Sequence, residues 1–171
     1  MQALKERIRH VPDFPKPGIL FYDVTTLLQD RDGFRMAVDE MAAPYHQGQI
    51  DVVVGIESRG FIFGSAVADR LKTGFAPVRK PGKLPSTTRK ASYSLEYGTD
   101  CLEIHEDAVR KGQRVLIIDD LLATGGTAAA TVGLVRALGA DVIAVQVLIE
   151  LVGLKGRDRL QNETIGAVLQ Y

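Results

Sequence analysis

The sequence predicts an α/β fold, a mainly parallel twisted sheet flanked by helices. Three observations carry this. Four apolar runs rich in β-branched residues are continuous rather than alternating, the mark of strands covered on both faces. Helical patterns lie between the runs. Strand and helix therefore alternate, which reads as parallel strands joined by right-handed crossovers.

The elements follow in chain order. Met1–His10 is amphipathic and charged and lacks the apolar core of a signal peptide. Val11–Thr26 holds Pro12, Pro15, Pro17 and Gly18 among Phe14, Leu20, Phe21 and Tyr22. It is too proline-rich for a helix and too apolar for a free tail, so an ordered flap docked on the body is expected. A helix over Gly33–Tyr45 precedes the first strand, Asp51–Ile56 (DVVVGI). Phe61–Leu71 is helical in pattern, and Gly74–Val78 (GFAPV) is a weaker strand. Val115–Ile118 (VLII) is the third strand and Val142–Ile149 (VIAVQVLI) the fourth. Between them, Ala128–Leu138 reads as a helix closed by Gly139, a C-cap residue.

Arg79–Gly98 breaks the alternation. It carries Pro81, Pro85, two glycines, five Lys or Arg and one acid, Glu96. A loop of that length inside a compact domain is usually functional. Ser92–Leu95 and Cys101–His105, with a turn near Tyr97 and Gly98, form a candidate β-hairpin within and beyond it.

With 171 residues the chain is expected to form a single domain over 1–171, long enough for one sizeable core. Hydrophobic residues at 46% and charged residues at 25% exclude a disordered or fibrous chain. Lys plus Arg equals Asp plus Glu at 21 each, so no global field exists to hold a polyanion, and nucleic acid is not an expected partner. The lone Cys101 allows no internal disulfide, which points to a reducing, cytoplasmic setting. No C-x-x-C or H-E-x-x-H occurs, and His10, His46 and His105 lie far apart, which argues against a structural zinc site. The apolar runs fall short of the roughly 18 residues of a membrane span.

The most informative string is VLIIDDLLATGGT, Val115–Thr127. A buried strand runs into Asp119 and Asp120, a short loop follows, and Gly125, Gly126 and Thr127 open a helix. In an open α/β sheet, ligands bind beyond the carboxyl ends of the strands. Free amides of the loop and the positive end of the helix suit one phosphate monoester, and the glycines permit close approach. Ala123, Thr124, Gly125, Gly126 and Thr127 are the candidate phosphate cradle. The two acids can accept hydrogen bonds from vicinal hydroxyls of a sugar bearing that phosphate. The string thus reads as a site for a 5-phosphorylated ribose. Neither a G-x-x-x-x-G-K-[ST] nor a G-x-G-x-x-G pattern is present.

VLIIDDLLATGGT resembles the phosphoribosyl-pyrophosphate (PRPP) signature of type I phosphoribosyltransferases. FPKPGILFYDVTTLL (Phe14–Leu28), GIESRGFIFG (Gly55–Gly64), VRKPGKLP (Val78–Pro85) and YSLEYGTD (Tyr93–Asp100) resemble the adenine-specific members, in order along nearly the whole chain. The resemblance implies transfer of 5-phosphoribosyl from PRPP to adenine, giving AMP and pyrophosphate, as in purine salvage. It implies Mg²⁺ bound through the substrate, with Asp119 and Asp120 holding ribose hydroxyls and reaching the metal through water. It also implies a homodimer. A phosphoribosyltransferase for xanthine, guanine or orotate, and a PRPP-sensing regulator, are the alternatives.

The same resemblance assigns the remaining residues. Glu57, Ser58 and Arg59 face the pyrophosphate, with a cis peptide between Glu57 and Ser58. From the residues alone, Ser58 as a helix cap and Arg59 as a solvated cation remain equally open. Arg79, Lys80 and Lys83 cluster among prolines without acidic partners; the resemblance makes residues 79–105 a mobile lid whose cations bind pyrophosphate, against the plainer reading of a solvated loop. Residues 11–28 become the base-binding flap, with Phe21 stacking on the purine and the backbone of Leu20 and Tyr22 reading its edge. Relatives often carry Arg where this chain has Tyr22. Leu151 closes the other side of the base pocket, although Phe21 and Leu151 also suit a plain core. Glu96 is implied as the catalytic acid or base and Tyr97 as the residue closing the lid; a surface acid balancing Arg89 and Lys90 is the other reading of Glu96.

Overall fold

The computed structural model describes residues 1–95 and 98–171. A short helix α1 (Gln2–Lys5) leads into strands β1 (Arg9–Pro12) and β2 (Leu20–Asp23), an antiparallel ribbon with His10 opposite Tyr22 and Val11 opposite Phe21. The proline-rich flap is therefore ordered, as expected, but as a ribbon. Its connecting turn contains a cis Phe14–Pro15 bond. Asp13, at φ 57°, accepts a hydrogen bond from the Gly18 amide at 2.8 Å. Aspartate tolerates that left-handed conformation better than most residues. The ribbon docks through the Tyr22 ring, which meets Tyr171 at 4.2 Å and His10 at 5.0 Å between centroids.

Helix α2 (Thr25–Gln29) and helix α3 (Arg31–Ala42) follow. Helix α3 begins two residues earlier than the sequence suggests, because the Asp30 carboxylate caps it by accepting from the Gly33 amide at 2.5 Å. It ends before Pro44, which has no N–H with which to continue the helical ladder.

The core is a five-stranded sheet in the order β4-β3-β7-β8-β9, every neighbour parallel. These strands are β3 (Val52–Ile56), β4 (Gly74–Val78), β7 (Arg114–Leu122), β8 (Asp141–Glu150) and β9 (Ile165–Gln170). Helix α4 (Arg59–Leu71) connects β3 to β4, and helix α5 (Gly126–Ala137) connects β7 to β8. Alternate residues feed two cores. Val53, Leu116 and Ile118 pack with α3 and α4 on one face. Val52, Val54, Val115 and Ile117 pack with α5 on the other, together with Leu102 and Ile104. Covering both faces is why these strands read as unbroken apolar runs.

Strand β7 departs from expectation. It does not stop at Ile118: its pairing with β8 continues to Leu122 opposite Glu150. Asp119 and Asp120 thus lie within the strand near its carboxyl end. The strand fixes their backbones at the mouth of the crevice described below. Strand β9 was not expected at all.

Between β4 and β7 the chain forms a hairpin of β5 (Thr88–Leu95) and β6 (Gly98–His105), longer than the expected one and paired from Thr88–His105 to Leu95–Gly98. Leu102 and Ile104 anchor its base in the core. An isolated bridge between Arg79 and Glu103 ties the end of β4 to β6.

Candidate active site

The strand order reverses between β3 and β7, the first core strand in sequence and the third. In a parallel sheet of this order, a crevice opens at that switch point beyond the carboxyl ends of the strands. A cavity of about 300 Å³ lies there. Its lining comes from the loop after β3 (Glu57, Ser58, Arg59), the end of β7 (Asp119, Asp120), the Ala123–Thr127 segment, Lys80 after β4 and Tyr93 of the hairpin.

The Ala123–Thr127 segment turns the chain from β7 into α5. Gly125 is the N-cap residue at φ 80°, a conformation glycine adopts without steric penalty. A side chain there would also run into the backbone of Gly156, which backs the loop. No side chain caps α5, so its first amides and the helix dipole face the cavity. That combination is an anion site. The Thr127 hydroxyl donates to the Tyr93 hydroxyl at 3.2 Å.

The acid pair has two different environments. Asp120 is buried, and its Oδ2 accepts from Arg59 Nε at 2.6 Å. Asp119 keeps a partly exposed face, but its Oδ1 accepts from the Asp120 amide at 2.9 Å beneath the start of α4. Gly60 is needed for this approach: a Cβ there would stand 2.9 Å from Asp119 Oδ1. Burial pushes the Asp119 carboxyl well above its ordinary value, and the neighbouring Asp120 carboxylate pushes it further. The site therefore holds one acid paired to a cation and one poised beside it without a cation of its own among the described contacts.

The Glu57–Ser58 peptide is cis, as the resemblance implied. Ser58 stands at the N-cap of α4 but makes no side-chain capping bond, and Arg59 lines the cavity. The basic segment requires a correction. Arg79 and Lys80 do have acidic partners, drawn from distant parts of the sequence. Glu57 accepts from Arg79 Nε and Nη2 at 3.1 and 3.2 Å and from the Lys80 amide at 3.0 Å. The Arg79 guanidinium, chiefly, holds the Glu57 carboxyl below the usual carboxylate range. Lys80 Nζ pairs with Asp100. The Lys83 carbonyl accepts from Arg79 Nη1 at 3.2 Å, and Lys83 is not among the cavity-lining residues. Arg89 and Lys90 pair with Glu106 and Glu103.

A second, more apolar hollow of about 460 Å³ is lined by Val11, Phe14, Phe21, Asp23, Thr25 and Arg59. Phe21 and Phe14 meet edge to face at 5.1 Å. Strand alternation sends Tyr22 the opposite way, onto His10 and Tyr171. Leu151 packs against the α3–α4 side of the core, and its amide donates to the Leu122 carbonyl at 2.9 Å. Leu20, Tyr22 and Leu151 line neither hollow. Arg59 lines both.

Glu96 and Tyr97 lie outside the described residues, on the segment joining β5 to β6. Sequence reasoning missed Tyr93 and Asp100 as parts of the site, although both stand in the YSLEYGTD string; the signal was their cross-strand register in the hairpin. Among the described residues no group of three or more His, Cys, Asp or Glu is placed to hold a metal ion. No helix among them is long and apolar enough to cross a membrane.

Comparison with known proteins bears on this geometry. The phosphoribosyl transferase domain model matches residues 25–165. Adenine phosphoribosyltransferase of Acidobacterium capsulatum is 56% identical over 170 residues, covering 99% of this chain and 94% of that protein. A crystal structure of adenine phosphoribosyltransferase from Rhodothermus marinus matches with a TM-score of 0.94 at 51% identity, covering 99% and 97% of the two chains. The Saccharomyces cerevisiae enzyme, crystallised with an imino-altritol bisphosphate and adenine, matches with a TM-score of 0.91 at 42% identity, covering 98% and 97%. With a domain match over most of its length and identity of this extent along nearly the whole chain, the chain belongs to the adenine phosphoribosyltransferase family of phosphoribosyltransferases.

Proposed function

We propose that the chain transfers 5-phosphoribosyl from PRPP to adenine, giving AMP and pyrophosphate. Adenine N9 attacks C1′ as the bond from C1′ to the diphosphate oxygen breaks, with inversion, through a transition state of oxocarbenium character. The observation that carries the reading is Arg59, which bounds both the anion cavity and the aromatic hollow. A sugar between a phosphate and a base needs that adjacency.

Each residue then has a task. Ala123–Thr127 hold the 5′-phosphate through backbone amides and threonine hydroxyls. Asp119 and Asp120 accept from the ribose hydroxyls. The Glu57–Arg59 loop, Arg79, Lys80 and Lys83 receive the diphosphate, for which the planar fork of arginine is suited. Phe21 stacks on adenine, while the main chain of Leu20 and Tyr22 reads its edge and Leu151 closes the far side. The Tyr22 ring is engaged with Tyr171, so its part in base recognition lies in the backbone, and replacing the arginine of many relatives leaves that part intact. Glu96, as a carboxylate, accepts at N7 the proton that the purine ring must release as N9 bonds to C1′, and Tyr97 helps close the hairpin over the site. Closure excludes water that would otherwise hydrolyse the activated sugar.

The donor set suits Mg²⁺. Two adjacent carboxylates, one committed to Arg59, offer too few oxygens for a protein cage but suit a hard ion carried mainly by substrate oxygens. Such an ion, reached from Asp119 and Asp120, would neutralise charge on the departing diphosphate. A cytoplasmic homodimer completes the proposal.

The test is to incubate the protein with Mg²⁺, PRPP and each of adenine, guanine, xanthine and orotate, measuring pyrophosphate and nucleotide. AMP and pyrophosphate formed in equal amounts with adenine are expected. Turnover of another base in preference to adenine, or PRPP binding without nucleotide formation, overturns the reading.

A further inference from the structure

We propose that Asp100 is the internal counter-anion of the diphosphate subsite: its carboxylate holds Lys80 until diphosphate takes that cation over, and the exchange loosens the hairpin from the phosphate loop. This rests on the assignment of Lys80 and Thr127 to phosphate binding.

A single cross-strand pair of the hairpin, Tyr93 opposite Asp100, makes all the contacts involved. Asp100 Oδ2 accepts from Lys80 Nζ and, at 3.0 Å, from the Tyr93 hydroxyl. The Tyr93 hydroxyl in turn accepts from Thr127 Oγ1 at 3.2 Å. The Tyr93 ring lies against Gly126, where a Cβ would come within 3.0 Å of it. A continuous chain of polar contacts thus runs from the phosphate loop through the hairpin to the loop after β4. Lys80, Tyr93 and Thr127 all line the cavity.

Every link has a competing use once substrate arrives. A 5′-phosphate attracts the Thr127 hydroxyl away from Tyr93, and a diphosphate attracts Lys80 away from Asp100. A doubly charged diphosphate oxygen cluster is the stronger acceptor, and the pair is open to exchange: side-chain exposures are 42% for Lys80 and 28% for Asp100. Both phosphates pull on the same cross-strand pair, so filling the site releases the polar contacts that tie this pair to the phosphate loop and to Lys80, while Leu102, Ile104 and the Arg79–Glu103 bridge still hold the base of the hairpin. Asp100 is thereby a positioning residue that sets the affinity for PRPP and pyrophosphate without touching the reacting atoms.

Replacing Asp100 by Asn removes the charge but keeps an acceptor for Tyr93. With Mg²⁺-pyrophosphate as the probe, Asp100→Asn is expected to tighten binding roughly two- to fivefold, the range of a half-exposed ion pair. KM for PRPP falls by a similar factor and KM for adenine stays unchanged, a split that general loosening of the fold does not produce. Asp100→Glu restores wild-type values. Tyr93→Phe, which keeps the ring and removes the link to Thr127, tightens ribose 5-phosphate binding. In a Lys80→Ala background the gain from Asp100→Asn disappears. Unchanged or weaker pyrophosphate binding in Asp100→Asn, or a gain that survives in Lys80→Ala, overturns the proposal. Lys80→Ala alone with unaltered pyrophosphate affinity instead overturns the assignment of Lys80 to the diphosphate, a separate and recognisable failure.

Discussion

The phosphate loop and the two peripheral ribbons serve one site but are built in opposite ways. The loop is made of backbone. It is fastened at one end to a central strand of a parallel sheet and at the other to the first turn of α5, and it is backed by Gly156. The ribbons, β1–β2 and β5–β6, are two-stranded sheets outside the main one; side chains fasten them where they face the site, Tyr22 on Tyr171, and Tyr93 and Asp100 on Thr127 and Lys80, while the base of the hairpin is held by Leu102, Ile104 and the Arg79–Glu103 bridge. A cradle for an invariant group such as a phosphate gains from rigidity. Segments that admit a base, or close over a reaction, need contacts that can be exchanged. Substitutions in the loop are therefore expected to change stability along with binding, and those in the ribbons to change binding or rate with stability little altered.

The largest expected effect lies on the hairpin. Glu96→Gln keeps size and a hydrogen-bonding carbonyl but cannot exchange a proton, so the chemical step is expected to slow by about 10²–10⁴-fold with PRPP affinity nearly intact. Single-turnover kinetics measure this even if product release limits kcat. A wild-type rate of chemistry refutes the role.

Next comes the acid pair. Asp119→Asn with Asp120→Asn is expected to weaken AMP about a hundredfold, since charged acceptors are replaced by neutral ones. Asp119→Asn alone is also expected to raise stability by about 1 kcal/mol, or about 2–4 °C in Tm, because it removes a carboxyl whose ionisation is opposed by burial and by Asp120. Calorimetry of the single variant decides this: a lower Tm means that Asp119 is a structural acid, and an unchanged Tm means that the contrast between loop and ribbon is wrong.

On the other ribbon, Phe21→Ala is expected to raise KM for adenine about tenfold, from stacking worth about 1–3 kcal/mol per base, with KM for PRPP and Tm little changed. Equal rises in both KM values point to a core role instead.

The smallest effect concerns the strand that carries the loop. At the start of β7, Arg114 donates to both carboxylate oxygens of Asp51, at 3.0 Å to Oδ2 and 2.7 Å to Oδ1. The hydrogen bonds from the Arg114 side chain, followed by its backbone amide, hold the Asp51 carboxyl down at about 2, from an ordinary 3.8. A depressed carboxyl contributes its stability in full above its unfolded value and loses it as pH falls through its folded one. The Tm difference between wild type and Asp51→Asn is therefore expected to be constant above about pH 4 and to shrink between there and about pH 2. A difference that stays constant across that interval removes Asp51 from the account.

What was legible in the sequence follows the same division. Strands β3 and β8 and helices α4 and α5 were visible because burial on both faces leaves an unbroken apolar run and because Gly139 closes α5, whereas β4, half exposed at the sheet edge, gave the weaker signal. The phosphate loop was visible because its residues are consecutive. Strand β9 was hidden: it follows two short 3₁₀ turns rather than a helix, and most of its residues are only partly buried. The β1–β2 ribbon was hidden by its prolines. The ion partners of Arg79 and Lys80 were hidden because Glu57 and Asp100 stand 22 and 20 residues away, and only the packing of the β3 loop and the hairpin brings them in. Local chemistry can be read along a chain; pairings between distant segments need the fold.

Arg59 has one further consequence. Because Arg59 bounds both hollows, a ligand in one is a neighbour of a ligand in the other, and any coupling between them is mutual. The two affinities are then joined in a thermodynamic cycle. By whatever factor pyrophosphate changes the dissociation constant of adenine, adenine changes that of pyrophosphate by the same factor.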